Sequence, residues 1–175
     1  MACPRTILAL MLAAIPIAMS ACASDPTSGY AFASSYREDI STIAVPIFEN
    51  STYDHGLDTL LTDAVIKEIH RSTPWRVTPA DRADTTLRCV ITDTDMRALR
   101  KNPTSGLVQE LAYVITVSFE WQDNRTGRSL ISRKGFKGAE TFVPATGAQE
   151  RLEQGQAATA AQLAQEIVAS LRSSW

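Results

Sequence analysis

The sequence predicts an α+β fold, a two-layer sandwich in which two amphipathic helices pack on a mainly antiparallel sheet of about four strands. Three patterns lead to this prediction. Large apolar residues alternate with small or polar ones over Leu111–Trp121, which is typical of a strand packed on one side. Apolar residues recur at three- and four-residue steps after Gly56 and again along Gln149–Arg172, which is typical of helices. The predicted order is strand, helix, strand, strand, strand, helix.

The first strand is predicted over Ile40–Phe48, where apolar residues occupy both faces and indicate burial on both sides. Pro46 has no N–H to donate, so this strand is expected to be open or bulged at that point. The first helix follows Gly56 and is expected to end at Thr73-Pro74, because the residue before a proline disfavours helical geometry. Trp75–Thr78 is expected to be a short extended piece.

The second half of the chain supplies the remaining elements. A strand is predicted over Thr85–Thr92, and the alternation weakens after Asp93. Asp123–Gly127 is predicted to be the turn of a hairpin whose returning strand is Ser129–Phe142. The final helix carries an apolar stripe formed by Ala160, Leu163, Ala164, Ile167, Val168 and Leu171. Gly155 is expected to weaken its early part by about 1 kcal/mol relative to Ala.

The N-terminus has the layout of a bacterial lipoprotein signal. One positive charge, Arg5, precedes an uncharged apolar run that ends in Met19-Ser20-Ala21-Cys22. Small residues before a cysteine predict cleavage there and acylation of the Cys22 thiol. A plain secretory signal cut near Ala21 or Ala23 is the alternative. A transmembrane helix is disfavoured because Pro16 interrupts the run, which is shorter than the ~20 residues that a span requires.

These features divide the chain into a signal peptide at 1–21, a lipidated N-terminus and tether at 22–39, and a single α/β domain at 40–175. Cleavage leaves 154 residues, enough for one domain with one core. The residue after Cys22 is Ala23 and not Asp, which favours sorting to the outer membrane. Two or more acyl chains give stable anchoring on the membrane.

The charge balance excludes a general nucleic-acid binder. Arg5 is the one charged residue in the leader, so 16 of the 17 basic residues and all 19 acidic residues remain after cleavage, a net charge near −3. The cysteines are Cys3, Cys22 and Cys89, so the mature domain has no cysteine pair for an internal disulfide. Cys89 is expected to be a small buried hydrophobic residue.

Catalytic and metal-binding motifs are not apparent in the sequence. His55 follows Asp54 on a polar loop without a nucleophile motif, and His70 is expected at a helix end, where the dipole favours a cation. Asp93-Thr94-Asp95 lacks the glycine and the final glutamate of a calcium loop. We therefore expect no enzyme activity, no cofactor and no metal site.

Six basic residues form the candidate ligand-binding set. Three lie between two predicted strands and three lie on the returning strand, and pairing of the hairpin is expected to bring some of them together. The set consists of Arg97, Arg100, Lys101, Arg133, Lys134 and Lys137. Cations beside an apolar strip suit an anionic amphiphile that carries phosphates and acyl chains. The alternative is ordinary solvated charges that protect edge strands from aggregation.

Several short stretches together match a known family pattern: Cys22, Gly29–Phe32, Ile43–Thr52, Gly56-Leu57, Val77 and Ala83–Leu87. Through these residues the chain resembles the LptE-like family of lipopolysaccharide-assembly lipoproteins. The order strand, Glu-Asn, helix, Ala-Asp, strand is also similar to TolB-like amino-terminal domains and curli-secretion lipoproteins. Cys22 and Gly29-Tyr30 favour the first family. The spacing between them is longer than the family pattern.

The resemblance implies a two-layer α/β domain that carries palmitate and lies on the periplasmic side of the outer membrane. It implies a plug inside an LptD-type barrel that binds lipopolysaccharide, delivers it to the outer leaflet and is not an enzyme. The six basic residues come from charge clustering and not from this resemblance. The alternative function is a structural lipoprotein subunit of a periplasmic secretion or envelope scaffold.

Overall fold

A six-stranded mixed sheet and two helices make up the described part of the protein. The computed structural model describes residues 39–101, 103–104, 108–143 and 148–173. The elements are β1 (Thr42–Ala44), β2 (Glu49–Asn50), α1 (Leu57–Ser72), β3 (Arg76–Val77), β4 (Thr85–Lys101), β5 (Val108–Asp123), β6 (Ser129–Phe142) and α2 (Ala148–Ser173). The predicted signal peptide, Cys22 and the tether up to residue 38 lie outside the described residues.

The strand order in the sheet is β3-β1-β4-β5-β6, and β2 pairs with β4 beside β1. The long ladders β4–β5 and β5–β6 are antiparallel. The pairings β1–β3, β1–β4 and β2–β4 are parallel. The α+β class is therefore confirmed, whereas the predicted count of about four strands and the mainly antiparallel order are wrong at this edge of the sheet.

The predicted strand over 40–48 is two short strands separated by an irregular stretch. β1 ends at Ala44, and β2 begins at Glu49 beside Val90 of β4. Pro46 lies in the gap, where its missing N–H prevents a continuous ladder. Burial on both faces is also wrong at this point, because the Ile47 side chain is 68% exposed. Phe48 returns to the core, and its N–H donates to the Thr62 Oγ1 at 3.1 Å.

Two further elements differ from the prediction. The extended piece Trp75–Thr78 contains β3, a sheet strand that pairs with β1 through Arg76 and Val77. β4 continues to Lys101 and does not stop near Thr92. Most of its distal part is exposed, so it pairs with β5 without the alternating burial that makes a strand visible in a sequence.

The core lies between one face of the sheet and the two helices. Leu61, Val65 and Ile69 of α1 are fully buried, as the predicted helix requires. The predicted stripe of α2 from Ala160 to Leu171 is also buried. These side chains form one cluster with the alternating residues of β4 and β5, including Leu87, Ile91, Ile115, Val117 and Trp121. The opposite face of the sheet carries no helix of the described structure, and we call it the open face.

Two glycines allow α2 to approach the edge strand closely. A Cβ at Gly138 would lie 2.9 Å from the Leu163 Cβ, so the helix packs almost directly on the β6 backbone. A Cβ at Gly155 would lie 2.8 Å from the Phe142 Cδ1. Gly155 lies inside the helix, as expected, and its missing side chain makes room for the Phe142 ring.

The predicted hairpin turn over Asp123–Gly127 is confirmed. The Gly127 N–H donates to the Asp123 carbonyl at 2.8 Å, and Gly127 has φ of 69°. The Asp123 Oδ1 accepts hydrogen bonds from the N–H groups of Arg125 and Thr126. These bonds hold the pKa of the Asp123 carboxyl below its usual value, the Arg125 amide contributing most.

Candidate functional site

A groove of about 470 Å³ crosses the open face of the sheet. β4, β5 and β6 form its floor, and the irregular stretch between β1 and β2 forms one wall. The groove is lined by Pro46, Ile47, Glu49, Arg88, Cys89, Val90, Ser118, Phe119, Glu120, Ser132, Arg133 and Lys134. Apolar and charged side chains therefore meet in one concave surface, which suits a ligand that is itself amphipathic.

Alternation along β4 places Arg88 on the open face. Its neighbours Leu87 and Cys89 are buried in the helix-side core, whereas Arg88 is exposed. Glu120 of β5 lies directly opposite Arg88, and Ser132 of β6 lies directly opposite Glu120. These three residues form one row across three strands.

A β-bulge in β6 places the basic residue Lys134 at the other end of this row. Val117 pairs with Phe136 and Phe119 pairs with Arg133, so one β5 residue faces both Lys134 and Gly135. Gly135 has φ of 65°, a left-handed conformation that favours glycine. Its N–H donates to the Ser118 Oγ at 3.4 Å. The bulge sets Lys134 beside the groove.

The charged groups of the groove are not used in ion pairs within the described structure. Its three cations, Arg88, Arg133 and Lys134, and its two carboxylates, Glu49 and Glu120, have no oppositely charged described partner within 4.0 Å. All five side chains belong to exposed residues. They are available to a ligand without first breaking an internal bond.

The six predicted basic residues do not form one cluster. Arg133 and Lys134 line the groove, whereas Arg97, Arg100 and Lys101 lie on the distal part of β4. Lys137 lies opposite Thr116, and it helps to lower the pKa of the Asp95 carboxyl. The largest cause of that lowering is the hydrogen bond that the Arg97 Nε donates to the Asp95 Oδ2 at 2.6 Å.

We call the segment in which β4 and β5 pair beyond Asp93 the ribbon, which comprises residues 93–101 and 108–116. It exposes Met96 and Leu99 as well as its cations. Arg100 is paired in register with Glu110. The ribbon is therefore a second surface where cations and apolar side chains lie together, and most of its cations have acidic neighbours.

The sequence alone does not single out Arg88 or Ile47 as site residues. Arg88 interrupts an apolar run as an isolated charge, and an isolated charge on a strand carries no signal of a site. Ile47 resembles a core residue in the sequence, and only the interruption at Pro46 leaves it exposed.

Residues that carry the family resemblance have structural roles here. The Asn50 Oδ1 accepts hydrogen bonds from the Thr52 N–H at 2.9 Å and from the Thr52 Oγ1 at 2.7 Å. The Asn50 Nδ2 donates to the Asp54 carbonyl at 2.7 Å. This network shapes the loop that presents the Asp54 carboxylate to Tyr113. The Tyr113 hydroxyl donates to the Asp54 Oδ2 at 2.5 Å, and it accepts from the Gln156 Nε2 at 3.3 Å.

Asp84 connects the start of β1 to the start of β4. Its Oδ2 accepts four hydrogen bonds, from the N–H and hydroxyl groups of both Ser41 and Thr42, over 2.8–3.2 Å. The Thr42 hydroxyl, first, and the Ser41 N–H hold the pKa of the Asp84 carboxyl below its usual value. The Ala-Asp element of the resemblance therefore has a role in stabilising the fold.

The other side chains considered for catalysis or metal binding are not grouped into a site in the described part of the chain. Cys89 is buried, as predicted, and burial raises the pKa of its thiol to about 12, which disfavours a thiolate nucleophile. His55 and His70 are both exposed. Within the described ranges no three His, Cys, Asp or Glu side chains are grouped to hold a metal ion. In the same part of the chain, neither helix has the length and apolar character that crossing a bilayer demands.

Solved structures share this fold. A hypothetical protein from Chlamydia trachomatis matches with a TM-score of 0.55 at 9% identity, over 77% of this chain and 97% of that one. The rare lipoprotein B from Shewanella oneidensis matches with a TM-score of 0.52 at 18% identity, over 76% of this chain and 95% of that one. A PelC dodecamer subunit from Paraburkholderia phytofirmans matches with a TM-score of 0.50 at 16% identity, over 79% of this chain and 91% of that one. These identities show the fold alone.

Sequence comparison identifies the family. No curated protein matches the chain significantly. The family model described as LptE, lipopolysaccharide-assembly, matches residues 40–171, which cover the whole predicted domain except its last four residues. The match includes β1 to β6 and nearly all of α2. This chain belongs to the LptE family of lipopolysaccharide-assembly proteins.

Proposed function

We propose that this protein is an outer-membrane lipoprotein that assists the assembly of lipopolysaccharide and its delivery to the outer leaflet, as the plug partner of an LptD-type barrel. The observation that carries the proposal is the family match over residues 40–171. The lipoprotein signal ahead of that domain supports an envelope location. The role is one of binding and positioning, so it requires neither a catalytic group nor a cofactor.

The proposed anchor is the acylated thiol of Cys22, with palmitate among its acyl chains. Each buried methylene contributes about 0.8 kcal/mol, so two or more chains hold the protein at the membrane. The tether then connects the anchor to Ile40, where the described core begins. Ala23 after the cysteine supports sorting to the outer membrane, with the domain on the periplasmic side.

The proposed contacts to lipopolysaccharide come from the basic residues of the open face and the ribbon. Arg and Lys form charge-assisted hydrogen bonds with phosphate oxygens, and Arg does so through two N–H groups at once. Exposed apolar side chains near both sets, Ile47 beside the groove and Leu99 on the ribbon, are available to acyl chains. A surface with both properties matches a phosphorylated amphiphile.

The barrel partnership is tested by isolating the full-length lipidated protein from detergent-solubilised membranes of its source bacterium. We expect a large β-barrel protein in near-equal amount, and we expect it to be lost when the isolation is repeated with an unrelated lipoprotein carrying the same tag. Recovery without a barrel protein would contradict the proposal. A large ring of identical copies on a sizing column would favour the scaffold-subunit alternative instead.

A further inference from the structure

We propose that the groove on the open face is a phosphate site of its own, centred on Arg88, that binds the phosphorylated head of an amphiphile separately from the ribbon. This inference rests on the proposed function, because it names where and through which residues the ligand is held. It assigns a specificity-determining role to Arg88, a residue that neither the family match nor the charge pattern of the sequence singles out.

The spacing of the cations supports a shared ligand. Arg88, Glu120 and Ser132 lie in register on three adjacent strands, and neighbouring strands are about 4.8 Å apart. The backbones of Arg88 and Ser132 are therefore about 10 Å apart, and the bulge places Lys134 on the same face, two residues beyond Ser132, whereas Arg133 alternates to the face of its partner Phe119. The long side chains of Arg88 and Lys134 can meet from two sides over one phosphate group, which is the arrangement that multidentate anion binding requires.

An apolar wall beside the cations supports an amphipathic ligand. Pro46 and Ile47 stand beside Val90 and the cations, and Ile47 exposes 68% of its surface to solvent. An exposed apolar side chain next to unpaired cations can pack against a hydrocarbon chain that is attached to a phosphate. Inorganic phosphate makes no use of this wall, so the groove favours an amphiphile over the free ion.

The ribbon lies well away from Arg88. Arg97, the ribbon cation nearest to Arg88 along β4, is nine residues away, which corresponds to about 30 Å of extended strand. A single phosphate group cannot contact both sets of cations. Arg97 is already bonded to Asp95, whereas Arg88 has no ion pair among the described residues.

The carboxylate of Glu120 allows a second substitution, whose expected effect on ligand affinity is opposite to that of substituting Arg88. Glu120 lies directly opposite Arg88 and repels a phosphate in the groove. Replacing Arg88 by Gln removes a cation, whereas replacing Glu120 by Gln removes a competing anion. Misfolding lowers affinity in both variants, so only a phosphate site in the groove predicts that the two variants change affinity in opposite directions.

The experiment measures the affinity of the full-length protein in detergent for three probes: purified lipopolysaccharide, the same lipopolysaccharide after enzymatic dephosphorylation, and inorganic phosphate. For the intact lipid we expect Arg88→Gln to weaken binding at least fivefold and Glu120→Gln to strengthen it two- to threefold, by analogy with charge-assisted contacts. The control variant carries Arg100→Gln and Lys101→Gln on the ribbon, and it should retain the Glu120→Gln gain when the two are combined. With the dephosphorylated lipid, both groove variants should bind as the unchanged protein does.

Three outcomes overturn the inference. If the groove variants bind intact lipid normally while the ribbon variant does not, the groove is not the site, although the proposed function stands. If inorganic phosphate binds as tightly as the lipid and with the same dependence on Arg88, the groove is a free-anion site. If the unchanged protein binds no lipopolysaccharide at all, the ligand part of the proposed function fails first, and the inference fails with it.

Discussion

A single carboxylate oxygen of Asp84 joins the segment before β1 to the entrance of β4. Four donors meet on this oxygen, and the N–H of Asp84 donates in return to the Thr42 hydroxyl at 2.8 Å. Hydrogen bonds to a charged acceptor contribute about 1.5–3 kcal/mol, and the donors left behind would lose their partner. The residue therefore stabilises the edge of the sheet where the strands are shortest.

We expect Asp84→Ala to lower the free energy of unfolding by about 2–3 kcal/mol, measured by urea titration at pH 7. Asp81→Ala is the matched control, because Asp81 is exposed and its only described ion-pair partner, Arg82, lies 3.8 Å away and is also exposed. Its expected effect is below about 0.5 kcal/mol. Equal effects of the two substitutions would contradict the role assigned to Asp84.

The lowered pKa of Asp84 predicts that the free energy of unfolding depends on pH. The folded pKa of Asp84 lies below the ordinary value of 3.8, so its charge-dependent stabilisation is present above that value and is lost as the pH falls through the folded pKa. The difference in unfolding free energy between the unchanged protein and Asp84→Ala should therefore be full at pH 7 and shrink below about pH 4. A difference that stays constant down to pH 2 would contradict this account.

Tyr113 is buried against the Asp54 carboxylate. Burial, first, and the hydrogen bond to Asp54 raise the pKa of Tyr113 to about 12. In the unfolded chain a tyrosine ionises near pH 10, so the stabilisation is present below about pH 10 and is lost as the pH rises toward 12. We expect Tyr113→Phe to lower the free energy of unfolding at pH 7 by about 1–2 kcal/mol and to make stability fall less steeply between pH 10 and 12. Parallel alkaline curves for the two proteins would refute this assignment.

Lipidation is testable at a single residue. Labelled palmitate fed to the source bacterium should appear in the unchanged protein and in Cys89→Ala, and not in Cys22→Ala. Cys89 is a fitting control because its thiol is buried and belongs to the core. Label that persists in Cys22→Ala would overturn the proposed anchor.

At the scale of elements, the contact between α2 and β6 depends on a missing side chain. We expect Gly138→Ala to lower the free energy of unfolding by about 1–3 kcal/mol, because the new Cβ would overlap the Leu163 Cβ. In a double-mutant cycle, Leu163→Ala should relieve part of this overlap, because it removes the Leu163 Cδ1, 3.0 Å from the new Cβ, and keeps the Leu163 Cβ. We expect a coupling energy above about 0.5 kcal/mol. The measurement is urea unfolding of the four proteins.

Gly135→Ala serves as the matched control for that cycle. Nothing lies within 4 Å of a Cβ at Gly135, so its cost is backbone strain alone, about 1–2 kcal/mol for a left-handed conformation. It should show no coupling to Leu163→Ala. Coupling of equal size at both glycines would mean that the close approach is not the cause.

The elements that a sequence reveals are those with a long periodic pattern. α1, β5 and α2 have 16, 16 and 26 residues, long enough for an apolar pattern to repeat along the element. The predicted packing of β5 on one side is wrong in its middle, where Ala112, Val114 and Thr116 of the other face are buried as well. β1, β2 and β3 have three, two and two residues, which is too short to carry a period. β1 and β2 pair in parallel with β4, and β3 pairs in parallel with β1. These are long-range pairings that no local pattern encodes. The close packing at Gly138 depends on the same kind of long-range contact.

Of the three cations that line the groove, two could be predicted from the sequence. Arg133 and Lys134 were found because charges cluster in the sequence. Arg88 was not found, because it reaches them through register pairing across two strands. The strand break at Pro46 that exposes Ile47 was only partly visible, as a proline that interrupts a ladder.

For the whole molecule, the proposed function requires one anchored domain that holds one amphiphile. The described structure offers two separated basic surfaces, the groove and the ribbon, on a sheet whose other face is covered by both helices. In the proposed function, this sheet is the platform that binds and positions the lipid. The proposed barrel partner would then enclose the platform and direct the lipid outward.

The most direct test of this account follows newly made, pulse-labelled lipopolysaccharide in the source bacterium after the protein has been depleted. We predict that the label stops reaching the cell surface, that the unchanged gene restores it, and that Cys22→Ala restores it poorly. Normal arrival of labelled lipopolysaccharide at the surface of depleted cells would contradict the central claim.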